Sequence, residues 1–381
     1  NDYVKISYEL TQDGLVIGKG KLSEVSVAPH SEGKTNLKVN VPESGKCYLK
    51  LIYHLKKEMP LLEEDHILGF DEIEVSQKDA KCQLAEKWME KTATNSELQV
   101  NENDTQIHIK GREFSYTIDR RTALFTEMKF AGREYLNHPM ELNIWRAPTD
   151  NDMYIKSEWK KAHYDKAYTR AYTTEVAQGK HGVKITSHAS VVAETVQKIL
   201  DVTITWKIDA AGKIDADIAV TKDGEFPDLP RFGVRMFLDK KLSDARYFGM
   251  GPQESYRDKH QAASHSLYRA NVGDLHEDYI RPQENGSHYD CEYVELNNSR
   301  YGIVASAEKA FSFNASYYTQ EELEKKTHNY ELTESDSVIF CVDYALNGIG
   351  SNSCGPVVLD QYRFNDVLFR FQFTLVPYVK G

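Results

Sequence analysis

The sequence predicts an all-β protein: an immunoglobulin-like sandwich followed by a second, much larger β-sandwich. Three observations carry that expectation. Short runs of alternating apolar and polar residues recur along most of the 381 residues, broken by turn-forming Gly, Pro, Asn and Asp. Residues suited to pleated, half-buried surfaces are plentiful, with 23 Tyr and 15 Phe beside 4 Trp. Strand-like and helix-like segments do not alternate, so the pattern holds no (β/α)8 barrel.

In chain order, residues 1–77 read as strands at Tyr3–Leu10, Leu15–Val27, Thr35–Val41, Tyr48–Leu55 and His66–Val75. Asp13-Gly14, Pro29 and Pro42–Gly45 supply the breaks, and strands at this spacing suit an immunoglobulin-type sandwich. Residues 78–104 are polar and charged without clean periodicity, which predicts a linker with a short helix at Leu84–Lys91. From 105 to 381 the alternation returns. Strands are expected at Gln106–Ile109, Phe114–Ile118, Leu124–Phe130, Val183–Val192, Lys198–Ile208, Lys213–Val220, Arg231–Leu238 and Arg246–Phe248. Further runs follow at Tyr289–Asn297, Tyr301–Ser306, Phe311–Ala315, Ser337–Ala345 and Asp366–Val376. So many long strands fit one large two-sheet sandwich. Thr319 with Glu322 three residues on makes a capping box for a helix to about Thr327, and a second helix is expected near Ile155–His163.

Composition excludes some functions. A net charge of −11 argues against nucleic acid or an anionic membrane as partner. No apolar run reaches the roughly eighteen residues a membrane-spanning helix needs. The five cysteines (Cys47, Cys82, Cys291, Cys341, Cys354) are odd in number and lack CxxC spacing, so neither a zinc site nor a disulfide framework is indicated. Reduced thiols in the cytoplasm are the simplest reading, with the periplasm left open. The chain opens directly on strand-like alternation at Asp2–Leu10, without an initiator Met or a leader, which suggests a fragment of a longer protein.

The chemistry gathers between Gly249 and His288. Gly249, Gly251 and Pro252 end an apolar run, so the dipeptides Gln253-Glu254 and Gln283-Glu284 fall in loops, near Arg257, Arg281, Asn285 and His288. Carboxylates, amides and guanidinium groups in such loops suit sugar hydroxyls, which both donate and accept hydrogen bonds. Asp150, Asn151 and Asp152 admit two readings. They are oxygen donors for a hard cation, or a turn whose carboxylates cap backbone N–H groups. The later bidentate Glu of an EF-hand loop is missing, which favours the turn, with Arg146 paired to one of the acids. Asn101-Glu102 lies in a polar stretch, Asn101–Asp104, where an apolar strand end would be wanted for a catalytic carboxylate.

Three ordered motifs resemble a known family. Gly249–Tyr256 with Pro282–Gly286, the run Trp145–Asp152, and Gly348–Gly350 followed by Ser353–Pro356 are similar to the C-terminal small-chain domain of the large bacterial β-galactosidases of glycoside hydrolase family 2. The resemblance implies the non-catalytic region of such an enzyme. It would comprise an immunoglobulin-like module, with its first strand expected before Asn1, and a large galactose-mutarotase-like β-supersandwich. No catalytic residue and no metal ligand is implied here; the family's Mg and Na ions bind outside this region. The implied partners are the catalytic barrel of the parent enzyme, a galactoside substrate and further copies in a homo-oligomer. Arg146, Asp150, Asn151, Glu254, Arg281, Glu284, Asn285, His288 and Cys354 are the candidate carbohydrate-binding or cleft-lining residues. At Cys354 many relatives carry a Trp that reaches the sugar site. A stand-alone carbohydrate-binding or aldose-epimerase-like protein, and the small subunit of a two-chain β-galactosidase, are the alternatives.

Overall fold

The computed structural model describes residues 2–23, 27–90 and 98–380. Among these residues the strands form three antiparallel sheets. The first holds β1 (Val4–Gln12), β2 (Leu15–Lys21), β3 (Cys47–Leu55) and β4 (Ile67–Glu74), in the order β2-β1-β3-β4. Asp13 and Gly14 both take positive φ (46° and 79°) and close the β1–β2 hairpin, the backbone that the strands' right-handed twist favours. The strand expected at Thr35–Val41 is not formed. Leu37 and Val39 are half-buried between exposed neighbours and Val41 is half-buried after one, so the alternation is real, but it records burial and no ladder partner meets it. The part of the Leu15–Val27 expectation at residues 24–26 lies outside the described residues, as do residues 91–97 of the expected linker.

That linker is no free tether. It carries α1 (Gln83–Met89), and Cys82 and Ala85 pack in one apolar cluster with Tyr48 of the first sheet and Phe248, Tyr293, Val304 and Tyr378 of the large one. At its end Gln99–Glu102 forms β5, so Asn101-Glu102 sits in a strand and not in the polar loop that was expected. Glu102 is bound to Arg120 at 2.7 Å.

The second sheet runs in order from β5 through β6 (Gln106–Lys110), β7 (Phe114–Asp119) and β8 (Leu124–Phe130) to β9 (Arg133–Glu134). It closes over the third sheet, with Phe125 edge-on to Trp206 at 5.0 Å and the Trp206 indole donating to Ala123 O at 2.8 Å. Helices are few and short: α2 (Ile155–Lys161) and α3 (Gln320–Lys325) follow α1. Thr319 caps α3 by accepting from Glu322 N at 3.1 Å, while the Glu322 carboxylate turns to Thr333 N and leaves the box half made.

The third sheet contains β10 (Leu136–Asn143), β11 (Tyr168–Gln178), β12 (Gly182–Val192), β13 (Leu200–Asp209), β14 (Ile214–Lys222) and β15 (Arg231–Asp239). It continues with β16 (Asp244–Gly251), β17 (Ser264–Asn271), β18 (Ser287–Asn297), β19 (Tyr301–Ser316), β20 (Ser337–Leu346) and β21 (Leu368–Val379). Its main path is β10-β15-β20-β19-β21-β14-β13-β12-β11, with β18, β16 and β17 branching from β19. Strands β10, β11 and β17 were not expected. Pro139 interrupts the first, and the other two are edge strands whose outward residues are polar. The runs at Tyr301–Ser306 and Phe311–Ala315 are one strand, bridged by the exposed Glu308–Ala310.

On β15 and β20 the side chains divide cleanly. Phe232, Val234, Met236, Leu238, Val338, Phe340 and Val342 point into the core, each fully buried. Arg231, Arg235, Cys341 and Asp343 point to the opposite face, where long loops cover them. That covered polar face positions the candidate site.

Candidate functional site

Arg231, Asp343 and Glu284 form the centre of the polar face. Gly233 pairs directly with Asp343 across β15 and β20, and a Cβ on Gly233 would stand 2.3 Å from Asp343 Oδ1; only glycine leaves the carboxylate room. Arg231 donates to both Asp343 oxygens at 3.2 and 2.6 Å and to Glu284 Oε2 at 3.2 Å. All three side chains are buried. Burial pushes the Glu284 and Asp343 carboxyls up, against the pull of Arg231. Burial also works against the charge on Arg231, but the attraction of Asp343 and Glu284 outweighs it and holds the guanidinium protonated. Through this triad the loop at Gln283–Gly286 is fixed to the sheet, and Glu284 N donates to Ala147 O at 3.0 Å.

Arg146 builds the second layer. Fully buried, it donates to Asp152 at 3.1 and 2.7 Å and to the carbonyls of Asn347 (2.6 Å) and Gly348 (3.2 Å). Asp152 also accepts from Thr149 N at 2.9 Å, and Asn151 donates to Ile349 O at 2.6 Å. From the other side Asp258 accepts from the N–H groups of Ile349 (3.0 Å) and Gly350 (2.8 Å). Three loops far apart in sequence are thereby tied at one end of the sandwich. Asp150 joins them through Gln283, with contacts of 3.1 and 3.2 Å. The acidic triplet thus acts as a turn. Asp152 is spent on Arg146 and Asn151 on a carbonyl, so no cradle of oxygens faces a cation, and the described residues contain no cluster of three His, Cys, Asp or Glu side chains suited to one.

The Gln253–Glu254 loop meets the same structure. Glu254 takes Lys259 and the Tyr279 hydroxyl on one oxygen and Gly286 N, at 2.9 Å, on the other. Gly286 has φ +68°, and a Cβ there would lie 2.3 Å from Leu275 O, which explains Asn-Gly at this corner. Asn285 accepts from Glu277 N at 3.0 Å and donates to Gln283 O at 2.9 Å. His288 packs between Tyr247 and Phe313, with ring centroids at 4.5 and 5.0 Å. Burial pushes it down to about 4, so it is neutral, with Nδ1 near Met250 O at 3.4 Å and Nε2 without a protein partner among the described residues.

The sequence reading needs correction here. Arg146, Glu284, Asn285 and His288 are buried and cannot line a cleft in this conformation. Polar residues between chain breakers were expected to be free for ligand, yet a desolvated carboxylate or guanidinium needs a partner, and Arg146 finds Asp152 while Glu284 finds Arg231. Asp150, Arg281 and Cys354 are exposed, Asn151 half-buried. Asn151 borders a cavity of about 210 Å³ with Asp228, Asn352 and Arg363. Glu254 borders a different, open one of about 560 Å³ with Lys259, Glu277 and Tyr279. The loops therefore share one end of the sandwich but split over two hollows. Arg231, Asp343 and Asp258 were not singled out from sequence. The signal was present for two of them: Arg231 and Asp343 are charged residues inside apolar strand runs, which a buried strand tolerates only when they are paired.

The described residues thus define an all-β protein whose large sheet carries a paired, loop-covered polar face. Residues 110–375 match the family model described as "Beta galactosidase small chain", so the chain belongs to that family, and residues 1–76 match "Beta-galactosidase, domain 4". A β-galactosidase of Actinobacillus pleuropneumoniae is 41% identical over 377 residues, covering 98% of this chain and 36% of that protein. One of Staphylococcus xylosus is 30% identical over 373 residues, covering 96% of this chain and 37% of its own length. The chain spans little more than a third of these curated relatives. Among solved structures, galactose 1-epimerase from Lactobacillus acidophilus aligns with 76% of this chain and 100% of its own at a TM-score of 0.39 and 8% identity.

Proposed function

We propose that the chain is the non-catalytic region of a β-galactosidase of glycoside hydrolase family 2 and acts only together with a separate catalytic barrel. The observation that carries this reading is the lopsided coverage: 98% of the chain matches a β-galactosidase, yet the match takes up 36% of that enzyme. Retaining hydrolysis needs two carboxylates about 5 Å apart across the glycosidic bond. Glu254 is held by Lys259, Tyr279 and Gly286, and Glu284 is buried on Arg231, so neither is offered to a substrate. In this reading the end of the sandwich tied by Arg146 walls the mouth of the barrel's active site. The tip 351–354, exposed at Cys354, faces the sugar there. Leu15, Val16, Ile17, Ile67 and Ile73 of the first sheet are large exposed apolar residues of the kind an assembly covers. In this reading the family's Mg and Na ions bind outside this region, and the five free cysteines support a cytoplasmic enzyme, with a periplasmic one as the alternative.

The test is complementation. Alone, the purified chain is expected to leave a chromogenic β-galactoside untouched. Mixed with a β-galactosidase polypeptide truncated to lack the matching third, it should restore turnover. Turnover by the chain alone that vanishes in Glu254→Gln would overturn the proposal.

A further inference from the structure

The loop 347–363 is clamped at both ends while its tip is free. The ends meet, with Gly348 N donating to Tyr362 O at 2.8 Å. Before the tip, Arg146 donates to the carbonyls of Asn347 and Gly348, and Asp258 accepts from the N–H groups of Ile349 and Gly350. Past the tip, Arg363 donates to Asp228 at 2.6 Å, and Phe364 N to Asn347 Oδ1 at 2.8 Å. Among the described residues no hydrogen bond or ion pair reaches 351–358. Asn352 is left there at φ +97°. A surface loop with joined ends has the form of an Ω-loop, a class often tied to function. Few contacts along its middle put such a segment at the low-stability end of a structure.

The tip borders the hollow of about 210 Å³, where Val357 and Val358 face Ile155, Asp228, Asn347 and Arg363. The polar groups of that lining are already partnered. Asp228 holds Arg363, Asn347 Oδ1 accepts from Phe364 N, and Asn151 donates to Ile349 O. What remains for the hollow to take up is hydrocarbon. Val357, at its rim, is 71% exposed. An apolar side chain in water beside an apolar hollow gains by entering it, and fixing the loop backbone opposes that gain. One valine and a few dihedral angles give opposing contributions of the same order.

We propose that 351–358 is a flap with two populated positions, the open one seen here and a shut one in which Val357 fills the hollow against Ile155. The clamps at 347–350 and 362–364 are its hinges, and shutting it closes the hollow beside Asn151 to any ligand. The flap goes beyond the function proposed above and does not depend on it, because its movement needs no barrel.

The test uses the full 381-residue chain. Cys354 is exposed while the other four cysteines are buried, and Tyr154, next to Ile155, is 61% exposed. Nitroxide labels on Cys354 and on Tyr154→Cys therefore report the distance from flap to α2 by pulsed EPR. Two distance populations are expected. Val357→Asp should lower the shorter one at least about tenfold, because an apolar hollow rejects a carboxylate. Val357→Ala, which stays apolar but fills less of the hollow, should lower it by a smaller factor. Both substitutions fall at an exposed position, so folding should survive them. A single population would overturn the proposal, and so would two populations that Val357→Asp leaves unchanged.

Discussion

The two faces of β15 make the most instructive comparison in the molecule. Phe232, Val234, Met236 and Leu238 bury hydrocarbon against the core, while one residue along, Arg231 is buried almost as deeply and Arg235 somewhat less so. The apolar face is stabilised by removal of surface from water, which is non-directional and tolerant of detail. The polar face holds only because its charges meet: Arg231 with Asp343 and Glu284, Arg235 with Glu141, Glu321 and Gln320. Such pairs roughly offset their own desolvation and add geometry more than stability. Here that geometry locks the Gln283–Gly286 loop and the start of α3 onto the sheet.

The comparison can be broken most forcefully at Arg231. Arg231→Ala strands two buried carboxyls and should cost about 3–5 kcal/mol. The triple variant Arg231→Met, Asp343→Leu, Glu284→Leu should recover most of it, measured by chemical denaturation. On the other face Met236→Ala should cost a similar 2–5 kcal/mol through a cavity, with no polar substitution able to restore it. A triple variant no more stable than Arg231→Ala would show that the polar face supplies net stability of its own. Arg146→Ala should cost about 3 kcal/mol for the same reason, and limited proteolysis should then cut first in the released loop 348–356. Unaltered cleavage there would separate Arg146 from loop anchoring.

A third prediction turns on pH at the seam between the first sheet and the large one. His265 contacts Glu72 at 2.7 Å and Asp290 at 3.0 Å and stacks on Tyr48 at 4.1 Å. Burial opposes its charge, but hydrogen bonds to Asp290 and Glu72 prevail and raise it to about 9. A histidine raised above its unfolded value of about 6.5 stabilises fully below that pH. The contribution, on the order of 3 kcal/mol, is lost as pH rises through 9. Denaturation midpoints of the wild-type chain should fall across that window and those of His265→Gln should not. Parallel curves for the two proteins would remove the clamp. The seam is otherwise close-fitting: Gly14 O accepts from Ser266 Oγ at 3.1 Å, and a Cβ on Gly14 would lie 2.1 Å from Leu267 N.

The smallest effect is expected at the cysteines. Cys354 is exposed on the 351–356 tip, whereas Cys47, Cys82, Cys291 and Cys341 are buried. Burial pushes Cys82 and Cys341 up to about 12, which suppresses their thiolates further. A thiol reagent should label Cys354 alone in the native chain and change stability by less than about 0.5 kcal/mol. Rapid labelling of Cys341 would mean that the polar face opens to solvent on its own.

What the sequence determined by itself is local. Alternation placed most strands of the large sheet, Thr319 marked the start of α3, and Arg146 with its nearby acids was recognisable as a pair because the partners are six residues apart. Motif spacing also tied Trp145–Asp152, Gly249–Tyr256 and Pro282–Gly286 into one family pattern, and the fold brings them together. What only the tertiary structure decided is which polar residues face solvent. Glu284 and Asp150 both stand in breaker-rich loops, yet one is buried on Arg231 from 53 residues away and the other is exposed. Arg235 lies in an ordinary strand, and its guanidinium is held only because Glu141 of β10 and Gln320 and Glu321 of α3 meet it there. Pairing with a sheet edge is equally non-local, as the unpaired but alternating run at 35–41 shows. Periodicity is a property of one segment's environment, whereas a salt bridge, a ladder or a cavity belongs to two or more segments whose meeting is settled by the packing of the whole chain.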